Sequence, residues 1–151
     1  MNLVYIFIPI ILSFIINVFI FRKSTNNLIK PRKLKYLPPG GVIGTVWIIL
    51  LGLLGYVYAL LENNNKKITI QKILIILLTI FCLSYSILTA KSTLRFSKNY
   101  NYLTLIFVLV VFYSVYKQSS KISYYLIPLL CWVLYVNIIT LLDDIQLINV
   151  F

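Results

Sequence analysis

The sequence predicts an all-α fold, an integral membrane bundle of five transmembrane helices forming a single domain over residues 1–151. Three observations carry this. With 61% hydrophobic residues and a mean hydropathy of +0.96, a chain of 151 residues is too apolar to hide its surface in one water-soluble core. Its apolar residues fall into five runs, at approximately 3–21, 42–61, 73–90, 100–116 and 124–142, each close to the roughly 20 residues that cross a hydrocarbon core as a helix. Charge is confined to the joints between those runs.

The first run has no basic residue before Leu3 and no small-residue cleavage site after Phe21, so it is read as a retained helix and not as a removed signal segment. The second begins at "LPPGG". Pro38 and Pro39 fix two backbone angles and remove two donors, which predicts an extended approach and a sharp helix start. The third run holds Cys82 and the fifth Cys131, thiols in apolar surroundings that act as small hydrophobes and suggest neither a disulfide framework nor a metal site. The fourth has the shortest strictly apolar part, and it spans with Tyr100, Asn101 and Tyr102 at the interface. In the fifth, Pro128 interrupts a helix and predicts a bend or a local cavity.

Arg22, Lys23, Lys30, Arg32, Lys33 and Lys35 join the first two helices, and Lys91, Arg95 and Lys98 the third and fourth. Lys66, Lys67, Lys72, Lys117 and Lys121 occupy the alternate joints. Nine basic residues against five place the first and third loops and the C-terminus in the cytoplasm and the N-terminus outside. Topology signalling therefore accounts for the net charge of +11 without a nucleic-acid partner, whose binders gather Lys and Arg on a soluble surface. The longest basic loop, residues 22–41, also has the charge to attract an anionic ligand or lipid headgroups.

The chain has no His and three acids, Glu62, Asp143 and Asp144, each near a helix end. Ion-coupled transport keeps ionisable groups inside the membrane, and metal or acid–base hydrolysis needs clustered ligands or a tuned pair. Neither pattern is present in the sequence, so no metal site and no required cofactor are expected.

Two stripes stand out. In the second helix Gly40, Gly44, Gly52 and Gly55 fall within about a third of the circumference, bordered by Trp47, Leu51, Leu54 and Tyr58. Such a notch accepts either a closely packed helix or a flat ligand. In the fifth, Tyr125, Pro128, Trp132, Tyr135 and Ile139 share a stripe that ends at Asp143. Trp47 and Trp132 are the chain's two tryptophans; each suits either packing at an interface or a ligand wall.

"LPPGGVIGTVWIILLGLLGY" resembles the second-helix signature of the TspO/MBR family, the translocator proteins or peripheral-type benzodiazepine receptors, in which Pro-Pro precedes a G-x-V-W element and a later Gly-Tyr. Pro38, Pro39, Gly44, Val46, Trp47, Leu50, Gly55 and Tyr56 fall in register. In "LIPLLCW", Pro128 and Trp132 take the places of the family's P-Y-x-x-W. Leu129 and Leu51 stand where the family carries tyrosines, and "LSYSILTAKSTLRF" lacks the family's third-helix Trp and Pro. The cholesterol-associated segment of animal members is unrecognisable in "NIITLLDDIQ", which argues against cholesterol transport.

The resemblance implies a five-helix bundle, commonly a homodimer, with a pocket opening toward the first loop. It implies porphyrins, chiefly protoporphyrin IX, and synthetic isoquinoline carboxamides and benzodiazepines as ligands. The binding residues it carries over are Trp47, Trp132, Pro39, Ile43, Leu51, Pro128, Val136 and Ile139. Some bacterial members promote light-dependent porphyrin breakdown, for which Trp47 and Trp132 would be the catalytic pair. Three function classes follow: a tetrapyrrole-binding sensor, a photochemical porphyrin-degrading enzyme, and a passive transporter or regulator of a host membrane protein. Relatives dimerise through a glycine face of the third helix; "ILIILLTIFCLSYS" has no glycine.

Overall fold

The computed structural model describes residues 3–24, 38–64, 69–89 and 94–148, and every regular element among them is helical. Five long helices make up the molecule: α1 (Val4–Ser24), α2 (Gly40–Glu62), α3 (Thr69–Thr89), α4 (Leu94–Gln118) and α5 (Ile127–Ile148). The chain enters α5 through one α-helical turn, Ser120–Ser123, and one 3-10 turn, Tyr124–Leu126. Three stretches, Gly41–Glu62, Arg95–Gln118 and Ser120–Leu142, are long and apolar enough to cross a membrane. Val4–Phe19 and Thr69–Tyr85 are shorter apolar helices. As whole helices, however, α1 and α3 each have 21 residues, or about 32 Å of rise, against a hydrocarbon core of roughly 30 Å.

The helices form a ring. α1 packs on α2 and α3, α3 on α4, and α4 on α5; α2 also touches α3 and closes the circle against the turns Ser120–Leu126. The interior is filled from α2 by Leu50, Leu51, Leu54, Val57 and Leu61, from α3 by Ile75, Leu78 and Cys82, from α4 by Val108, Val111 and Val115, and from the last segment by Ile122, Leu126, Leu129 and Val133. Dispersion contacts and shape, more than water exclusion, hold such a bundle in lipid.

Local chemistry sets the boundaries. Pro39 caps α2 with φ −54° and ψ 146°, the extended approach that the double proline imposes, and its carbonyl accepts the Ile43 N–H at 3.1 Å. Helix α4 starts at Leu94, six residues before its apolar run, and Arg95, Phe96 and Asn99 in its first turns are exposed. Tyr100 is buried and stacks on Phe81 with ring centroids 4.4 Å apart. Its hydroxyl donates to the Phe81 carbonyl at 2.9 Å and lies 2.6 Å from Ser84 Oγ. Tyr100 is therefore a clasp between α3 and α4, where the sequence had suggested an interfacial anchor.

The glycine notch of α2 is divided between two tasks. A Cβ on Gly55 would run into the Tyr5 carbonyl and come within 2.8 Å of Ile6 Cα, and one on Gly52 would lie 3.2 Å from Ile10 Cδ1. These two glycines seat α1, the helix-packing reading of the notch. Gly44 faces open space, with nothing within 4 Å of an added Cβ, as does Gly41 outside the notch; the surroundings of Gly40 lie outside what is described. Pro9, inside α1, has no N–H to offer the carbonyl four residues back, and that carbonyl belongs to Tyr5, which lies over Gly55.

Candidate functional site

Helices α2 and α5 approach each other at the turns before α5 and diverge beyond them. Between them lies a cavity of about 470 Å³ lined by Val46, Ile49 and Leu50 of α2 and by Pro128, Cys131, Trp132 and Tyr135 of α5. Both linings are single helical stripes, the α5 residues at i, i+3, i+4 and i+7. Pro128 occupies the second position of α5, where a missing N–H is cheap. The distortion expected from it is expressed upstream as the 3-10 turn Tyr124–Leu126, and the helix beyond runs unbroken to Ile148.

The walls are apolar apart from the Tyr135 hydroxyl, the Cys131 thiol and the indole of Trp132. Trp132 is half-buried and leans on the core, its ring 5.6 Å from that of Tyr135. Its Nε1 is buried and has no hydrogen-bond partner among the described residues. An indole N–H buried without a partner costs on the order of 1–3 kcal/mol. Cys131 is exposed at the same wall, as are Ile49 and Tyr135, so the cavity opens sideways between the two helices.

Of the residues selected from sequence, Pro128 and Trp132 line this cavity. Trp47 is half-buried and packs on the core cluster; it follows Val46 along α2 but is not part of the lining. Leu51 and Ile139 are buried, at 2% and 3% exposure, Ile43 and Val136 are half-buried, and Pro39 is exposed at the start of α2. Lys30, Arg32, Lys33 and Lys35, whose charge suits the first loop to an anionic ligand, lie outside the described residues, as does the side chain of Asp143. Sequence reasoning missed Val46, Ile49, Leu50 and Cys131. The i, i+3, i+4 spacing of the three α2 residues was visible, but only the position of α5 shows that this stripe has a partner.

A second buried polar group lies elsewhere on α5. Asn137 is 4% exposed; its Nδ2 donates to the Val133 carbonyl at 2.7 Å and to the Asn101 carbonyl of α4 at 3.3 Å. Its Oδ1 has no partner among the described residues. Asn137 thus ties α5 to α4 on the stripe of Leu126, Leu129, Val133 and Thr140, away from the cavity. Among the described residues no three His, Cys, Asp or Glu side chains gather as metal ligands.

A model of the TspO/MBR family matches residues 5–142, nearly the whole chain. Comparison with curated proteins found no match.

Proposed function

The chain belongs to the TspO/MBR family, and from that premise we propose that it binds flat hydrophobic tetrapyrroles, protoporphyrin IX foremost, in the cavity between α2 and α5. The observation that carries this reading is Trp132. Its indole forms part of the cavity wall and offers a flat ring a face to stack on, beside the hydroxyl-bearing Tyr135 of the same wall. A volume of about 470 Å³ lies within the roughly 300–1,000 Å³ of small-molecule sites. The five apolar runs contain no acidic residue, which favours a sensor or regulator over an ion-coupled transporter.

Light-driven porphyrin breakdown is the second reading, since an indole beside an excited porphyrin can supply an electron. It requires Trp47 as well as Trp132, and Trp47 is not among the residues that line the cavity. Tryptophan fluorescence of the solubilised protein, titrated in the dark with protoporphyrin IX and then illuminated, separates the readings. Binding predicts saturable quenching at micromolar or tighter affinity, weakened at least several-fold by Trp132→Phe and little by Trp47→Phe. A new absorbing product under light, lost in both variants, would make the chain an enzyme. Linear quenching in all three proteins would sink the porphyrin reading.

A further inference from the structure

We propose that the groove between α1 and α3 is a phospholipid site selective for a headgroup that carries a primary amine, separate from the α2–α5 cavity and independent of what binds there. The groove encloses about 270 Å³. Its floor is Leu54, Gly55 and Tyr58 of α2, and its sides are Tyr5, Ile8, Pro9 and Leu12 of α1 and Ile75, Ile76, Thr79, Ile80 and Leu83 of α3. It exists because Gly55 draws α1 down onto α2 while α3 stands beside it. Ile8, Ile76 and Ile80 are exposed along its rim, and the one hydroxyl on its α3 side, that of Thr79, is already donated to the Ile75 carbonyl at 2.8 Å.

Size selects the occupant. A narrow groove of about 270 Å³ between aliphatic walls takes a single file of methylenes. An acyl chain is also what the surrounding bilayer supplies at this depth, and dispersion contacts with the aliphatic walls hold it there.

The polar end selects the headgroup. Tyr5 and Tyr58 meet edge to face, 4.8 Å between centroids, at the end of the groove toward the joint of α2 and α3. One turn further on, Glu62 follows Tyr58 at i+4 and Lys72 precedes Ile75 and Ile76 at i+3 and i+4, so both charges stand on the groove's own faces. They pair at 2.6 Å, with side-chain exposures of 45% and 24%, and both phenols lie within electrostatic reach of the lysine ammonium. An exposed pair of this kind contributes only about 0–1 kcal/mol, so exchanging partners is cheap. A phosphoethanolamine group gives Lys72 a phosphate and Glu62 an ammonium with three donors. A choline headgroup gives Glu62 no donor, and a glycerol headgroup leaves an anion facing Glu62.

The test is native mass spectrometry of the detergent-purified protein titrated with dioleoyl phosphatidylethanolamine, phosphatidylcholine and phosphatidylglycerol. The ethanolamine lipid should bind tighter than the other two by roughly five-fold, the order that one exposed ion pair supplies. Glu62→Gln should bring the three to within about two-fold of one another while leaving retention of an acyl chain intact. Ile76→Trp, which fills the groove, should abolish adducts of all three lipids, and an unchanged helical circular-dichroism spectrum and melting temperature in that variant verify that the bundle is folded. Equal binding of the three lipids by the wild type, or lipid adducts that survive Ile76→Trp, would overturn the proposal. So would a dimer that disappears in Ile76→Trp, since it would assign the groove to a second copy of the chain.

Discussion

At the scale of single residues, the two kinds of glycine in α2 make opposite predictions from one substitution. Gly55→Ala drives a methyl group into the backbone of α1, with Ile6 Cα at 2.8 Å. Backbone cannot move aside as a side-chain tip can, so a loss of about 1–3 kcal/mol or more is expected. Gly44→Ala meets nothing within 4 Å and should stabilise the helix by up to about 1 kcal/mol. Thermal melting of both variants in detergent measures the contrast; equal melting temperatures would contradict the packing described. Tyr100→Phe removes a hydroxyl that bridges Ser84 and the Phe81 carbonyl, and a loss of about 0.6–1.7 kcal/mol is expected for a polar contact inside a membrane protein. The Phe ring keeps the stacking on Phe81, so a larger loss would mean that the bridge does more than join α3 to α4.

At the scale of elements, each proline acts through its place in its helix. Pro128 stands in the first turn of α5, where its fixed φ suits the helix and no donor is missed. Pro128→Ala should therefore change stability by less than about 1 kcal/mol, in contrast to the roughly 3 kcal/mol at stake for proline in a helix interior. Circular dichroism melts check this, and a large stabilisation would show that the proline strains α5 after all. Pro9 is an interior proline, and its cost is one reason α1 depends on close seating against Gly55. The double proline before α2 and the cap at Pro39 were legible in sequence because proline chemistry is local. The start of α4 was not legible: Arg95, Lys98 and Asn99 read as a joint, yet the helix runs through them from Leu94.

At the scale of the whole molecule, polar and apolar features sort by end and by face. Tyr5, Tyr56, Tyr58, Tyr113, Tyr116, Tyr124 and Tyr125 collect at the end where α2 meets α3 and α4 meets α5, with Lys117 4.8 Å over the ring of Tyr113 and the Tyr56 and Tyr125 rings 5.0 Å apart. This is the aromatic belt expected at a membrane interface. The two cysteines give a probe of the cavity. Cys131 is exposed at the cavity wall and Cys82 is buried in the core, so a membrane-permeant maleimide should modify Cys131 and spare Cys82. If protoporphyrin IX occupies the cavity, saturating porphyrin should slow that modification at least several-fold. Unchanged labelling would place the ligand elsewhere.

By itself the sequence determined the helical membrane fold, because hydropathy and segment length act without reference to the rest of the chain. It also marked Pro128 and Trp132, whose helical spacing is a local property. The tertiary structure decided which faces meet. The same helical spacing of glycines and aromatics suits a ligand wall or a neighbouring helix, and only the position of α1 assigns Gly52 and Gly55 to packing. Likewise Trp47 and Trp132 look equivalent in their motifs and both pack on the core cluster, yet of the two only Trp132 borders the cavity. The physical reason is that a helix fixes the angle between its own side chains, whereas the void or contact opposite them depends on how neighbouring helices converge and part.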